Sequence, residues 1–178
     1  MKRRLLLTAA TATAALGLAG CASQNIQSYA AEKPVLDLQQ YFNGTLDAYG
    51  VFTDRGGSVV KRFTVVMVCN WQGDQGTLDE DFTYSDGSKQ KRVWHLTKLG
   101  NGRFSGKADD VVGEARGESS GNTFHWNYTL SLPVDGKVYD VQFDDWMYLV
   151  DDKVMLNKAT MSKFGIRLGE VTLSFFKR

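Results

Sequence analysis

The chain has 178 residues, of which 43% are hydrophobic, and a formal net charge of +1 from 21 basic and 20 acidic side chains. A chain of this length supports one domain with its own core. The near-neutral charge argues against a nucleic-acid partner, which needs a basic face.

Residues 1–20 have the pattern of a secretory signal peptide. A basic head at residues 2–4 precedes an uncharged run, Leu5–Leu18, that is too short to span a bilayer comfortably. Leu18–Cys21 (Leu-Ala-Gly-Cys) matches the bacterial lipobox, which predicts cleavage before Cys21 and lipid attachment to its sulfur, so that the partner of this end is a membrane. The alternative is ordinary cleavage that leaves an incidental cysteine.

Residues 21–35 are predicted to be a lipidated, flexible tether of about 35–40 Å when extended, because Ala22 to Pro34 is small, polar and unpatterned. An alanine rather than an aspartate follows Cys21, which in enterobacterial sorting permits onward transfer. We therefore expect the protein on the periplasmic face of the outer membrane, with inner-membrane retention as the alternative. Lipidation leaves Cys69 as the remaining thiol, and its apolar neighbours predict that it is buried and inert.

Residues 36–178 are predicted to form the folded domain. A short helix over 36–42 places Leu38, Tyr41 and Phe42 on one face, and it is a candidate plug for one end of the domain. Beyond it, turn signals recur about every eight to twelve residues between segments rich in Val, Thr, Phe, Tyr and Trp. This spacing predicts nine or ten strands.

Short connections between consecutive strands favour an all-β fold, an antiparallel up-and-down β-barrel of the lipocalin or calycin type, because closure removes the sheet edges. A two-sheet sandwich is the alternative. The clearest alternation is Phe124–Leu132, and Val59–Val68 is apolar on both faces in its second half, which predicts a central strand or one covered on both sides.

Several patterns that resemble functional motifs are better explained by turns and strand faces. Gly117–Gly121 matches the G-x-S-x-G nucleophile elbow, but a strand rather than a helix follows it, so it predicts a hairpin turn. His95 and His125 lie on the polar faces of their strands without partners at ligand spacing, so neither a metal site nor a cofactor is expected. Acidic pairs such as Asp109-Asp110 are interpreted as solvated turn residues.

Two charged residues, Glu80 and Arg92, fall on otherwise apolar faces of neighbouring strands. A three-residue loop at 86–88 pairs Phe82 with Arg92 and Glu80 with Trp94, which makes Glu80 and Arg92 diagonal neighbours on the inner face. Their ion pair is either a structural clamp or an anchor for the polar head of a ligand.

A second polar cluster joins Asp145 and Asn157, which a turn at 151–153 brings together at the barrel rim. It is either structural or part of a site. Trp146 lies beside it on a strand whose two faces both carry large apolar groups.

Ordered motifs along residues 36–178 resemble a family of proteobacterial lipoproteins known as domain of unknown function 3833. The resemblance implies a lipoprotein with a lipocalin-like barrel, and it brings no established activity or catalytic residue. It is carried by Leu38-x-x-Tyr41-Phe42-x-Gly44, Gly50-x-Phe52-x-Asp54-Arg55-x-Gly57, Glu80-x-Phe82-x-Tyr84-x-Asp86-Gly87, Arg92-x-Trp94, Ala108-x-Asp110-Val111-x-Gly113-x-Ala115-x-Gly117, Gly121-Asn122, Asp145-Trp146-Met147 and Asn157-x-Ala159-x-Met161-x-Lys163-Phe164-Gly165.

Three functions are consistent with these patterns. The first is an envelope lipoprotein, not an enzyme, that binds or carries an apolar ligand such as a lipid; Glu80 and Arg92 meet its polar head, and its cavity is lined by Phe82, Trp94, Trp126, Tyr128 and Trp146. The second is a packed barrel that binds another envelope protein. The third is an enzyme acting on lipid or cell wall, with Glu80 or an aspartate as its acid or base.

Overall fold

The computed structural model describes residues 24–134 and 136–178, so that Cys21 and the signal pattern lie outside the described residues. A 3₁₀ helix at Ile26–Tyr29 and a four-residue α-helix, α1, at Leu38–Tyr41 precede ten strands. The strands are β1 (Gly44–Asp54), β2 (Val59–Gln72), β3 (Gln75–Tyr84), β4 (Lys89–Gly100), β5 (Arg103–Lys107), β6 (Ala115–Ser120), β7 (Thr123–Val134), β8 (Lys137–Leu149), β9 (Val154–Lys163) and β10 (Ile166–Lys177).

The ten strands form a closed antiparallel barrel, which confirms the predicted up-and-down topology. Each strand pairs with its neighbours in sequence, and β1 closes the ring by pairing with β10, with Leu46 opposite Lys177 and Asp54 opposite Gly169. Closure satisfies the backbone groups that an open sheet exposes at its edges. The sandwich alternative is therefore wrong.

Strand β2 shows how alternation divides the residues between the core and the surface. Met67 and Cys69 are buried, whereas Val66 and Val68, which alternate with them along the strand, are 43% and 47% exposed. The expectation that this strand is covered on both faces is wrong, because valine is favoured in strands by its shape even where its side chain meets solvent. The Cys69 thiol is buried as predicted, and burial raises its pKa to about 12.

Helix α1 closes one end of the barrel, as its apolar face predicts. The Asp37 side chain caps it by accepting a hydrogen bond from the backbone N–H of Gln40 (3.1 Å), which starts the helix later than residue 36. The Phe42 ring packs edge-on against Phe175, with 5.4 Å between centroids. Trp71 Nε1 donates a hydrogen bond to the Phe42 carbonyl (2.7 Å), which fixes the exit of the helix to β2.

Part of the segment predicted as a flexible tether is packed against the barrel, through Ile26 and Tyr29. Ile26 is buried, and the backbone N–H of Leu36 donates to the carbonyl of Gly121 at the β6–β7 turn (2.8 Å). Gly121 has a positive φ of 55°, and a Cβ there would meet the Tyr29 carbonyl oxygen at 1.8 Å. The structure differs from the prediction because Ile26 is buried and the Tyr29 ring packs against Trp146 and Tyr148 of the barrel. A segment without a periodic pattern gives no sign of such contacts.

One part of the barrel wall is made by a loop. Strands β5 and β6 are short, so the first half of β4 and the second half of β7 have no strand between them. The loop at residues 108–114 occupies this position, where Val111 forms a bridge with Leu130 and the Val112 N–H donates to the Thr129 carbonyl (2.9 Å). We call this segment the wall loop.

Within residues 24–134 and 136–178, no helix is long and apolar enough to cross a membrane.

Phe42→Ala is expected to lower the free energy of unfolding by about 3–5 kcal/mol, because it removes a buried ring and leaves a cavity beneath α1. Urea unfolding followed by tryptophan fluorescence measures the change. Val66→Ala is the matched control, and it should cost less than about 1 kcal/mol because its side chain faces outward. Equal losses in the two variants would contradict the assignment of inner and outer faces.

Candidate functional site

The barrel contains a partly open cavity of about 180 Å³ between α1 and the opposite end of the barrel. Leu38 and Phe42 line it at the α1 end. Tyr84 and Gln90 line it at the other end, where the tyrosine hydroxyl donates to the Gln90 side-chain carbonyl (2.6 Å). Of the residues that the sequence assigns to a site, the structure places these in the lining: Glu80, Phe82, Arg92, Trp94, Trp126, Tyr128, Asp145 and Asn157.

Aromatic rings form a continuous part of the cavity wall. The Trp94 ring contacts Trp126 and Tyr128 edge-on, with centroid separations of 5.8 and 5.4 Å. Tyr128 stacks on Phe143 at 5.0 Å. Such edge-on and stacked pairs hold each ring in a fixed orientation, so these residues form a preorganised surface.

Trp146 lies on the outer face of the barrel, and its predicted place in the cavity lining is wrong. Its ring stacks on His125 at 3.9 Å, and its Nε1 donates to the Asp144 carboxylate (3.2 Å). Tyr29 of the N-terminal segment packs beside it, 6.2 Å away. Both faces of this part of β8 carry large apolar residues, so the alternation of the sequence does not show which face turns inward. In the structure, the face that carries Asp145 turns inward.

Glu80 and Arg92 both face the interior, directly opposite each other in the β3–β4 ladder. The predicted register, with Phe82 opposite Arg92, is wrong by two residues, because the turn closes earlier: the Tyr84 N–H donates to the Ser88 carbonyl (2.9 Å), and Gly87 adopts a φ of 82°. Side chains alternate with a period of two, so a shift of two residues keeps both groups on the inner face.

The main partner of Arg92 is Asp110 on the wall loop, which sequence reasoning missed. Arg92 Nε lies 3.1 and 3.0 Å from the two Asp110 oxygens, and Nη2 lies 2.7 Å from Oδ2. The interpretation of Asp110 as a solvated turn acid is wrong, since its side chain is only 24% exposed. The two residues are 18 positions apart on a loop and a strand, so no local spacing signals the pair.

Glu80 is only 8% exposed and forms no hydrogen bond through its carboxyl group with residues 24–134 or 136–178. Its nearest cationic atom is Arg92 Nη1, at 3.9 Å from Oε2, which is beyond hydrogen-bond distance. Burial raises the pKa of Glu80 to about 7; Arg92 opposes the shift, and Asp110 and Asp145 add to it.

Asp145, by contrast, is fully engaged within the cavity wall. Its Oδ1 accepts a hydrogen bond from Asn157 Nδ2, and its Oδ2 accepts one from the Tyr128 hydroxyl (3.1 Å). The β8–β9 hairpin brings the two polar residues together as the sequence suggests, but it does so in the cavity wall rather than at the rim. Burial raises the pKa of Asp145 to about 7, and these two hydrogen bonds limit the shift.

Among the residues that the structure describes, no group of three or more His, Cys, Asp or Glu side chains is placed to hold a metal ion. His95 is exposed, and His125 lies on the outer face beside Asp144. The chemistry available inside the barrel is therefore that of carboxyl groups, a paired guanidinium and aromatic faces.

This architecture, a ten-stranded barrel around a largely apolar cavity with a few buried polar groups, defines a small lipocalin-like β-barrel protein. The family model for DUF3833, described as "Protein of unknown function", matches residues 15–177, and the chain belongs to that family.

Two solved structures share the fold. The S-type phycobiliprotein lyase CPES from Guillardia theta is 6% identical, with 79% of this chain and 89% of that chain covered and a TM-score of 0.57. A protein of unknown function from the DUF3598 family of Nostoc punctiforme is 10% identical with a TM-score of 0.50; the match covers 83% of this chain and 51% of that one, so this chain spans about half its length. No curated protein sequence matches the chain.

The raised pKa values of Glu80 and Asp145 make the stability of the barrel depend on pH. At pH values between the ordinary carboxyl pKa and about 7, these groups bind more protons in the folded state than in the unfolded state. The free energy of unfolding therefore falls as the pH rises from 5 to 8. Glu80→Gln should reduce this fall, because one of the two groups no longer titrates.

Urea midpoints at pH 5 and pH 8 measure the effect. Asp81→Asn is the matched control, since this neighbouring carboxylate is exposed on the outer face. An unchanged pH slope in Glu80→Gln would show that Glu80 titrates alike in both states.

Asp110→Asn is expected to loosen the wall loop, at a cost of about 1–3 kcal/mol, because it leaves the Arg92 guanidinium without its anionic partner. Hydrogen exchange should show faster exchange at the amide of Val112, which the loop hydrogen bond protects. Asp109→Asn is the control, since Asp109 is exposed. The same exchange rate in both variants would contradict the role of the ion pair.

Proposed function

We propose that this protein is a non-enzymatic bacterial envelope lipoprotein that binds a small, mostly apolar ligand inside its barrel. The observation that carries the proposal is the cavity itself, which combines apolar and aromatic walls with a few buried polar groups. That combination is typical of small-molecule sites, in which apolar surface supplies affinity and a few polar groups fix the orientation.

The size of the cavity limits the ligand. Its volume of about 180 Å³ is below the roughly 300–1,000 Å³ of most ligand pockets, but an apolar cavity of about 150 Å³ is enough for a molecule the size of benzene. A ring or a short chain therefore fits the cavity as it stands. A longer acyl chain exceeds this volume.

Two alternatives have less support. A packed interaction module needs an interior filled by side chains, whereas this barrel retains a cavity. An enzyme could use Glu80 or Asp145, whose raised pKa values are of the kind that acid–base catalysis exploits. However, among the described residues that line the cavity there is no serine, threonine, cysteine or histidine to act with them.

The lipobox at Leu18–Cys21 supports a lipid anchor. The packing of the N-terminal segment limits how far the barrel can lie from the membrane that holds this anchor. Gln24 Nε2 donates to the Tyr148 hydroxyl on the outer face of β8 (2.6 Å). Only three peptide units separate Cys21 from Gln24, a reach of about 10 Å. A lipid on Cys21 therefore holds the barrel close to the membrane, instead of at the end of a long tether, on the periplasmic side of the outer membrane.

Native mass spectrometry of the full chain tests both parts of the proposal. The chain is expressed in a Gram-negative host and extracted in two mild detergents of different mass, so that bound detergent is recognised. We expect an adduct that is released on unfolding, together with a denatured mass that reports a diacylglycerol-modified Cys21. An unmodified N-terminus would contradict the anchor.

A variant pair assigns the adduct to the cavity. Ala159→Leu adds volume at a buried position in the lining, whereas Lys158→Leu changes the neighbouring residue, whose side chain is exposed. The adduct should disappear in the first variant and persist in the second. Bare protein in both detergents would contradict ligand binding and favour the packed module.

A further inference from the structure

One carboxyl group in the cavity lining, that of Glu80, accepts no hydrogen bond from the described residues. Arg92, the cation in the lining, is engaged by Asp110 through three contacts of 2.7–3.1 Å. Both oxygens of Asp145 accept hydrogen bonds from Tyr128 and Asn157. Glu80 lies buried in the same lining, where its carboxyl group is 3.9 Å from Arg92 Nη1 and has no hydrogen bond from the described residues. A buried polar group of this kind is costly unless a partner satisfies it.

The same charges disfavour an anionic ligand. A carboxylate that entered the cavity would meet a guanidinium already held by Asp110, and it would lie among the carboxyl groups of Glu80 and Asp145. Repulsion between like charges is strong in a site with little water. If Glu80 and Arg92 meet the polar head of a ligand, as predicted from the sequence, that head is therefore not an anion.

The walls around Glu80 complete the chemistry of a cation site. The faces and edges of Trp94, Trp126 and Tyr128 line the same cavity. Aromatic rings attract organic cations through their quadrupoles, most strongly where water is excluded. A carboxylate beside aromatic rings can satisfy the charge of an ammonium group and the apolar body attached to it.

We propose that the cavity selects an organic ammonium: a small amine whose N–H groups donate to the Glu80 carboxylate while its apolar body packs against the tryptophans. This inference rests on the proposed ligand binding and names the chemical class of the ligand.

Three ring compounds of nearly equal size serve as test ligands, so that the effect of ligand charge on binding is measured apart from the effect of ligand shape. Benzylamine carries an ammonium, benzyl alcohol is a neutral donor, and benzoate is an anion. All three are close to the single-ring size that a cavity of this volume admits. Their binding to the full chain in a nonionic detergent is measured by calorimetry and by tryptophan fluorescence, at pH 8, which lies above the pKa of about 7 that burial gives Glu80.

We expect benzylamine to bind at least about tenfold more tightly than benzoate, with benzyl alcohol in between. Glu80→Gln should weaken benzylamine by about tenfold and change benzyl alcohol by less than about twofold. Asp81→Asn removes a charge from the next residue on the same strand, where it is exposed on the outer face, and it should leave all three affinities unchanged. Unfolding midpoints establish that each variant is folded.

The outcomes separate the two proposals. If benzoate binds as well as benzylamine, or if Glu80→Gln leaves benzylamine unchanged while the rings still bind, the ammonium inference is overturned and the barrel remains a binder of apolar ligands. If none of the three rings binds, both proposals fail. The order of affinities in the unmodified chain decides the inference even if Glu80→Gln does not fold.

Discussion

The ion pair between Arg92 and Asp110 holds together a part of the barrel where strands alone do not close the wall. Strands β5 and β6 end early, and the wall loop crosses the resulting gap with its aspartate turned toward Arg92 on β4. A guanidinium in an apolar interior needs an anionic partner in good geometry, so the loop and the charge depend on each other. Without Asp110, the anionic neighbour left to Arg92 would be Glu80, at 3.9 Å.

The polar groups in the cavity lower stability and thereby suggest a function. Glu80 and Asp145 are desolvated, and burial shifts the pKa of each toward neutrality, which is a cost that an interior of aliphatic side chains avoids. Hydrogen bonds from Tyr128 and Asn157 offset part of this cost for Asp145. Glu80 has only the longer contact with Arg92, at 3.9 Å, among the described residues. Unsatisfied groups that local structure does not explain are expected at sites that meet a partner.

The sequence predicts the barrel and most of the cavity lining because strand alternation is local. Alternation correctly places Glu80, Arg92 and Trp126 on the inner face. This holds although the predicted β3–β4 register differs from the observed one by two residues, because a shift of two residues keeps each side chain on the same face. Prediction fails where both faces look alike, as at Trp146, and where a contact joins distant segments, as at Asp110. Loop contacts leave no periodic signal, so only the folded structure reveals the partner of Arg92.

The two ends of the barrel differ in how firmly they are held. At one end α1 is fixed by the Trp71 hydrogen bond and by the packing of Phe42 on Phe175. The other end is lined by Tyr84 and Gln90, and the wall beside it is the loop that Asp110 holds. Loop and side-chain motions need less energy than opening a strand pair. The far end and the wall loop are therefore the parts of the barrel that open at the lowest cost, and the ion pair between Arg92 and Asp110 opposes that opening.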